Sequence, residues 1–217
     1  MRKKDKEKDM GDDKNYGFYA MLDRMQYIAR WGLMRNSRTE NIKEHSFDVA
    51  VIAQSLAFLY NRNNSGKEGF EPLDPYRVAA YGLYHDCTEI LTGDLPTPIK
   101  YRNKEITRAY KEVESEAART LAGLLPEGLQ DEYIDLLDPS YEGEEGAVMK
   151  RLVKAADKIS AYIKCMREES TGNREFSSAM KTLEDSIRAM ELPEADEFMR
   201  CFIPPFGYNL DQLNGEN

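Results

Sequence analysis

An all-α domain is what this sequence predicts, and three observations predict it. Apolar residues recur at helical spacing through nearly every segment from Tyr16 onward, while runs of alternating apolar and polar residues are scarce. Helix-start signals stand where such signals should, at Asn41-Ile42-Lys43-Glu44 and at Asp74-Pro75. The chain has 217 residues, within the range of one domain, and 41% hydrophobic residues, enough for a core.

The first fourteen residues carry eleven charged side chains, six basic and five acidic, and no apolar run. Residues 1–14 are expected to be a disordered charged tail, since a secretory signal requires an apolar segment. Residues 15–217 are expected to form the domain. Asn41 to Glu44 matches a capping box and opens a helix through HSFDVAVIAQSLAFLY. Apolar residues cover most of that helix's circumference, which predicts deep burial on all sides. Asn61 to Gly69 reads as a loop. Asp74 as N-cap with Pro75 at the first helical position starts a second apolar helix, PYRVAAYGLYHDCTEIL, stopping near Gly93. Proline keeps LPTP extended or turned. Further helices are expected over 103–125, 126–137, 144–169, 174–190 and 194–201, with no substantial sheet.

Thirty basic residues against 39 acidic ones give a net charge of −9 and a pI near 5.0. A basic nucleic-acid or anionic-membrane surface is thereby disfavoured, and no stretch is apolar enough to span a bilayer. Cys87, Cys165 and Cys201 form no CxxC pair, which points to a reducing, cytoplasmic setting. Only two histidines exist, His45 and His85, so imidazole chemistry has two candidates.

The second apolar helix holds an anomaly: His85, Asp86 and Glu89 near its C-terminal end. Ionisable groups are costly to bury unless paired or bound to metal. Helical spacing puts the three on one broad side. His45 lies one turn into the preceding buried helix, and Asp157 interrupts a later amphipathic helix among small and apolar neighbours. Taken singly, a histidine on an apolar helix can be a core residue, and Asp157, between Lys154 and Lys158, a solvated one. Their conjunction points to a mixed nitrogen–oxygen site for one divalent ion such as Co, Mn, Mg, Fe or Zn. Arg30, Arg35 and Arg38 precede His45; Arg30 is the candidate phosphate grip, while Arg35 and Arg38 read as partners of surface acids. Glu89 is placed for general acid/base work, or to orient His85. Trp31 has a core or interface reading, Asp94 a turn-capping one, and Cys87 reads as a small buried residue.

The segments RWGLMRNSRTENIKEHS, YHDCTEILTGDLPTPIK and KAADKISAYIKC resemble the HD-domain metal-dependent phosphohydrolases, and among them the YfbR-like 5′-deoxynucleotidases. The resemblance runs from about Tyr16 to Asp211, and TGDLPTP is far more specific than the HD pair. It implies a helical HD-domain bundle, a metal held by His45, His85, Asp86 and Asp157, and catalytic roles for Glu89 and Arg30. It further implies substrate contacts by Arg30, Trp31, His45, Asp86 and Asp157 and by the nucleotide-facing loop Asp94, Leu95, Pro96 and Thr97. Trp31 would exclude a 2′-hydroxyl and Asp94 accept from the 3′-hydroxyl. The implied reaction is metal-dependent hydrolysis of 2′-deoxyribonucleoside 5′-monophosphates by a homodimer, for which apolar helical surface in the C-terminal third offers further support. The rival readings are a deoxynucleoside triphosphate hydrolase of the same superfamily and a nucleotide-binding module without turnover. Two histidines are too few for a bimetallic phosphodiesterase.

Overall fold

The structure is a computed structural model that describes residues 15–100 and 102–215; the tail expected over 1–14 lies outside them. Helices follow in order: α1 Phe18–Asp23, α2 Ile42–Asn64, α3 Pro75–Tyr84, α4 Glu89–Thr92, α5 Thr97–Lys100, α6 Lys104–Ala122, α7 Glu127–Leu137, α8 Gly143–Ser170, α9 Ser177–Arg188, α10 Pro193–Cys201 and α11 Leu210–Leu213. Short 3₁₀ turns occur at Arg24–Tyr27, Arg174–Phe176 and Pro204–Gly207. Among the described residues the only β pairing is an isolated antiparallel bridge between Ala29 and Asn41. The all-α expectation is borne out.

Local chemistry explains the helix starts. The Asn41 side chain accepts from the Glu44 amide at 3.0 Å, and Asp74 accepts from the Tyr76 amide at 2.8 Å with Pro75 behind it. The expected capping box is only half made, because Glu44 pairs with Arg38 at 3.0 Å instead of turning back.

Two apolar clusters organise the packing. Val49, Ile52 and Leu56 of α2, Val78 of α3 and Leu152, Ala156, Ile159 and Ile163 of α8 belong to the larger one, with α9 and α10 against it. Each fully buried leucine or isoleucine there contributes about 1.5–3 kcal/mol. The second cluster joins Phe18, Met25, Ile42, Cys87, Leu121 and Leu137, tying α1, α6 and α7 to the start of α2. Cys87 is the small buried residue expected, its thiol 3.6 Å from the Met25 sulfur.

The loop expected over Asn61–Gly69 begins only at Ser65, because α2 runs on through Asn64, and a helical turn starts within LPTP at Thr97; two larger expectations also need correction. The second apolar helix does not run unbroken to Gly93. It ends at Tyr84, and His85–Thr88 form a turn tightened by i to i+3 bonds, Cys87 N–H to Tyr84 O and Glu89 N–H to Asp86 O, both 3.0 Å. His85 Nδ1–H takes the Gly82 carbonyl at 2.7 Å, so the side chain supplies that acceptor's partner where the helix gives way. Nor is α2 buried all round: Phe47, Val51 and Phe58 are exposed, as are Tyr76 and Leu83 of α3. Neighbouring helices cover α2 on its other sides and leave this stripe open.

Candidate metal and substrate site

The site lies where the N-terminal end of α2, the turn after α3 and the middle of α8 meet. Leading into it, residues 28–30 run antiparallel to 40–42, with Arg30 N–H donating to Glu40 O at 2.9 Å and Ile42 N–H to Ile28 O at 3.0 Å. This pairing carries Arg30 and Trp31 to the end of α2, one turn from His45. Packing of α2 on α8 then sets His45 against Asp157 and Ser160, and the α3 turn delivers His85 from the other side.

His45 is fully buried. A carboxylate can only accept, so its Nε2–H donates to Asp157 Oδ1 at 3.0 Å, while Nδ1 pairs with the Ser160 hydroxyl at 3.0 Å. The two imidazole rings stand 5.3 Å apart. His85 spends Nδ1–H on the Gly82 carbonyl, which turns Nε2 toward the site. That nitrogen is buried, lacks a hydrogen-bond partner, and lies 3.2 Å from Asp86 Oδ2 in poor bonding geometry. Donor atoms of His45, His85 and Asp157 all fall within 4.8 Å of one another. Asp86 stands beside them, 3.8 Å from His45 Nε2, with its Oδ2 also accepting from Arg30 Nη1 at 2.9 Å. Two imidazoles, adjacent carboxylates and an orphaned buried nitrogen are a donor set that fits a divalent cation.

Within the site the charges compensate one another. Burial opposes a charged His85, yet the Asp86 carboxylate pushes its pKa up to about 9. Burial likewise opposes ionised carboxylates, but His85 and Arg30 hold Asp86 far below the usual range, and His45 brings Asp157 down to about 2. Arg30 overcomes its desolvation through Asp86, Asp157 and Glu40 and stays charged.

Glu89 opens α4 at 2% exposure, as a carboxyl near the metal group rather than within it. Its Oε1 accepts from Lys100 Nζ at 2.6 Å, and its Oε2 is buried without a partner. Burial, then the charge of Asp86, raise its pKa to about 8 against the opposing pull of Lys100. Lys100 also rests 4.9 Å from the centre of the Tyr110 ring. Asp94 follows Gly93, whose φ of +75° turns the chain after α4. It lies half-buried within electrostatic reach of Arg30, Asp86 and Lys100. Leu95 and Pro96 continue half-buried into α5; the side chain of Thr97 lies outside the described structure.

The neighbouring side chains of Arg30 and Trp31 are tied to one point by a residue that carries no motif in the sequence. Glu40, 6% exposed, accepts from Arg30 Nε at 3.2 Å and from the Trp31 indole N–H at 3.1 Å through the same Oε2. Arg35 and Arg38 are exposed and pair with Glu175 and Glu44, their surface reading. Lys100 likewise carries no motif of its own, and its one mark in the sequence is that it is the first lysine or arginine after Arg77.

Over residues 17–206 the chain matches the family described as 5′-deoxynucleotidase YfbR-like. A 5′-deoxynucleotidase of Yersinia pseudotuberculosis is 45% identical over 197 residues, covering 91% of this chain and 96% of that protein. One from Pectobacterium atrosepticum is 44% identical over 200 residues, covering 92% and 96%. Among solved structures, an HD-domain phosphohydrolase from Listeria innocua superposes with a TM-score of 0.70 at 21% identity, covering 92% of this chain and 95% of its own. The cyanophage S-2L HD phosphohydrolase DatZ, solved with dA and one catalytic Zn²⁺, gives 0.55 at 20% identity over 86% and 95%. The two structural likenesses speak for the fold.

Proposed function

This chain belongs to the YfbR-like 5′-deoxynucleotidase family and has the fold of the HD-domain structures it superposes on, and we propose residue roles for its hydrolysis of 2′-deoxyribonucleoside 5′-monophosphates to deoxynucleoside and phosphate. The observation that carries the assignment is the meeting of the His45, His85 and Asp157 donors within 4.8 Å, beside the Arg30–Asp86 pair.

His45, His85, Asp86 and Asp157 would hold one divalent ion. When bound, such an ion lowers the pKa of a water and offsets the charge of the phosphate dianion. Two imidazole donors favour Mn, Fe, Co or Zn over Mg. Arg30 binds the phosphate: Asp86 and Glu40 take two of its N–H groups and fix the guanidinium plane, which leaves its other N–H donors for the incoming anion. In a chain of net −9 this local cation is what makes capture of an anion favourable. Glu89 handles the proton. Its raised pKa keeps it protonated near neutral pH, the form that gives a proton to the departing 5′-oxygen from Oε2. Trp31 closes the sugar pocket against a 2′-hydroxyl, and Asp94 accepts from the 3′-hydroxyl, with Leu95, Pro96 and Thr97 completing the nucleotide-facing loop.

A second copy of the chain covers the apolar stripe of Phe47, Val51, Phe58, Tyr76 and Leu83 on α2 and α3, rather than the C-terminal third that the sequence suggested, making a homodimer. A cytoplasmic setting accords with Cys87 and Cys165 as buried free thiols and Cys201 as an exposed one. Among the described residues no helix is long and apolar enough to cross a membrane. Nucleic acid is not a partner, given the acidic net charge.

The test is phosphate release from matched deoxy- and ribonucleoside 5′-monophosphates, with chelation followed by add-back of single metals. Turnover of deoxy substrates that stops on chelation and returns with metal supports the reading. Activity that survives both Asp86→Ala and exhaustive chelation overturns it.

A further inference from the structure

We propose that Glu40 is a specificity-positioning residue that couples the phosphate grip to the sugar gate. This inference rests on the assignment of Arg30 and Trp31 as substrate contacts and adds to it the device that sets one against the other. A single carboxylate oxygen, Oε2, accepts from both Arg30 Nε and the Trp31 indole, at 3.2 and 3.1 Å. The backbone repeats the link, since Arg30 N–H donates to Glu40 O at 2.9 Å.

Each partner is otherwise restrained in a way that makes Glu40 the common point. Arg30 is strung between Glu40 and Asp86, and Asp86 Oδ2 in turn lies against both histidines. Trp31 is one of few non-glycine residues with positive φ, at +59°, a conformation that persists only where surroundings enforce it. Its enforcers are the bond to Glu40 and an edge contact with buried Phe176, ring centres 5.4 Å apart. Trp31, Glu40, Arg30 and Asp86 therefore form one continuous chain from the indole to the donor group. A burial of 6% exposure for a carboxylate with these two N–H partners is stable only while both are in place. Recognition of the phosphate and rejection of the 2′-hydroxyl are thus set by one side chain that touches neither.

The experiment measures kcat and KM on a deoxy- and ribonucleotide pair for wild type, E40Q, W31F, W31A and the E40Q/W31F double variant. W31F deletes the indole N–H while keeping an aromatic ring, so it cuts the same bond from the other end. We expect E40Q and W31F each to lower the deoxy-to-ribo ratio of kcat/KM about tenfold, the worth of one charge-assisted hydrogen bond. The double variant should be no worse in that ratio than E40Q alone, and E40Q should also raise KM for both substrates through Arg30. A merely structural Glu40 would lower both activities together and leave the ratio intact. If E40Q fails to fold, W31F still carries the test, because a wild-type ratio in W31F overturns the coupling. A wild-type ratio in E40Q with a collapsed one in W31A overturns the Glu40 proposal alone, as would additive losses in the double variant. A wild-type ratio in W31A overturns the Trp31 assignment beneath it.

Discussion

Lys164 and Glu168, one turn apart on α8 and both buried, form an ion pair that clamps the loop between Trp31 and Glu40 to the body of the fold. The Glu168 carboxylate accepts from the Ser37 amide at 2.8 Å, the Arg38 amide at 3.3 Å and the Asn173 side chain at 2.8 Å. Lys164 donates to the Arg38 carbonyl at 2.5 Å. Removing one partner leaves an uncompensated buried charge, so Lys164→Met should cost roughly 3–5 kcal/mol in denaturant unfolding. A loss below 1 kcal/mol would show that the clamp is dispensable.

The same clamp makes stability depend on pH. Burial disfavours the Glu168 charge, but its hydrogen bonds from Lys164, Asn173 and Ser37 hold its pKa well below the ordinary 4.5. A carboxyl lower in the folded state than in the unfolded one stabilises above the unfolded value and loses that contribution as pH falls through the folded one. Wild-type stability should therefore decline as pH drops below about 4.5, and Glu168→Gln should flatten that decline. Parallel curves for the two proteins would refute the assignment.

Glu89 and Lys100 share a proton economy that kinetics can read. Glu89→Gln should lower kcat by about 10²–10⁴. Lys100 depresses the Glu89 pKa, so Lys100→Met should raise it above its present value of about 8. If the protonated form acts, the alkaline limb of kcat then moves to higher pH. An unmoved limb would take the acid role away from Glu89.

Metal binding should be visible without turnover. Saturating Mn²⁺ or Co²⁺ at about a hundred times Kd adds about 2.7 kcal/mol, which for a chain of this size raises Tm by about 5–10 °C. His85→Ala and Asp157→Ala should abolish the shift. Equal shifts in wild type and both variants would place the ion elsewhere.

Gly82 ties fold to site. A Cβ there would meet Ala50 Cα at 3.0 Å and backbone atoms of Val49 and Ala50 at 3.2 Å, so α2 and α3 could not keep their approach. Gly82→Ala should cost about 1–3 kcal/mol. Because Gly82 O also orients His85, the metal-induced Tm shift should shrink as well. Unchanged stability and an unchanged shift together would show that the helices can part freely.

Much of this was legible in the chain itself. The caps at Asn41 and Asp74, the helical periodicity and the isolated ionisable groups in apolar segments mark His45, His85, Asp86, Glu89 and Asp157, because burial of charge is an anomaly that spacing reveals. Glu40 and Lys100 left weaker marks. A glutamate just outside a helix cap and a lysine after a proline turn are ordinary in sequence, and each acquires its role only from a partner in space. The break at His85 was hidden for a related reason: a side chain supplies a hydrogen bond that the backbone pattern assigns to the helix.

The sequence by itself determined that the protein is helical, which groups could bear the chemistry, and to which family it belongs by resemblance, since periodicity, capping and burial cost act within a few residues. The tertiary structure decided which of those groups meet. Packing of α2 on α8 sets His45 against Asp157, 112 positions away along the chain, and the turn after α3 brings Asp86 against Arg30, 56 positions away. Such contacts depend on helix placement to within an ångström, which is set by the whole core and by no local pattern.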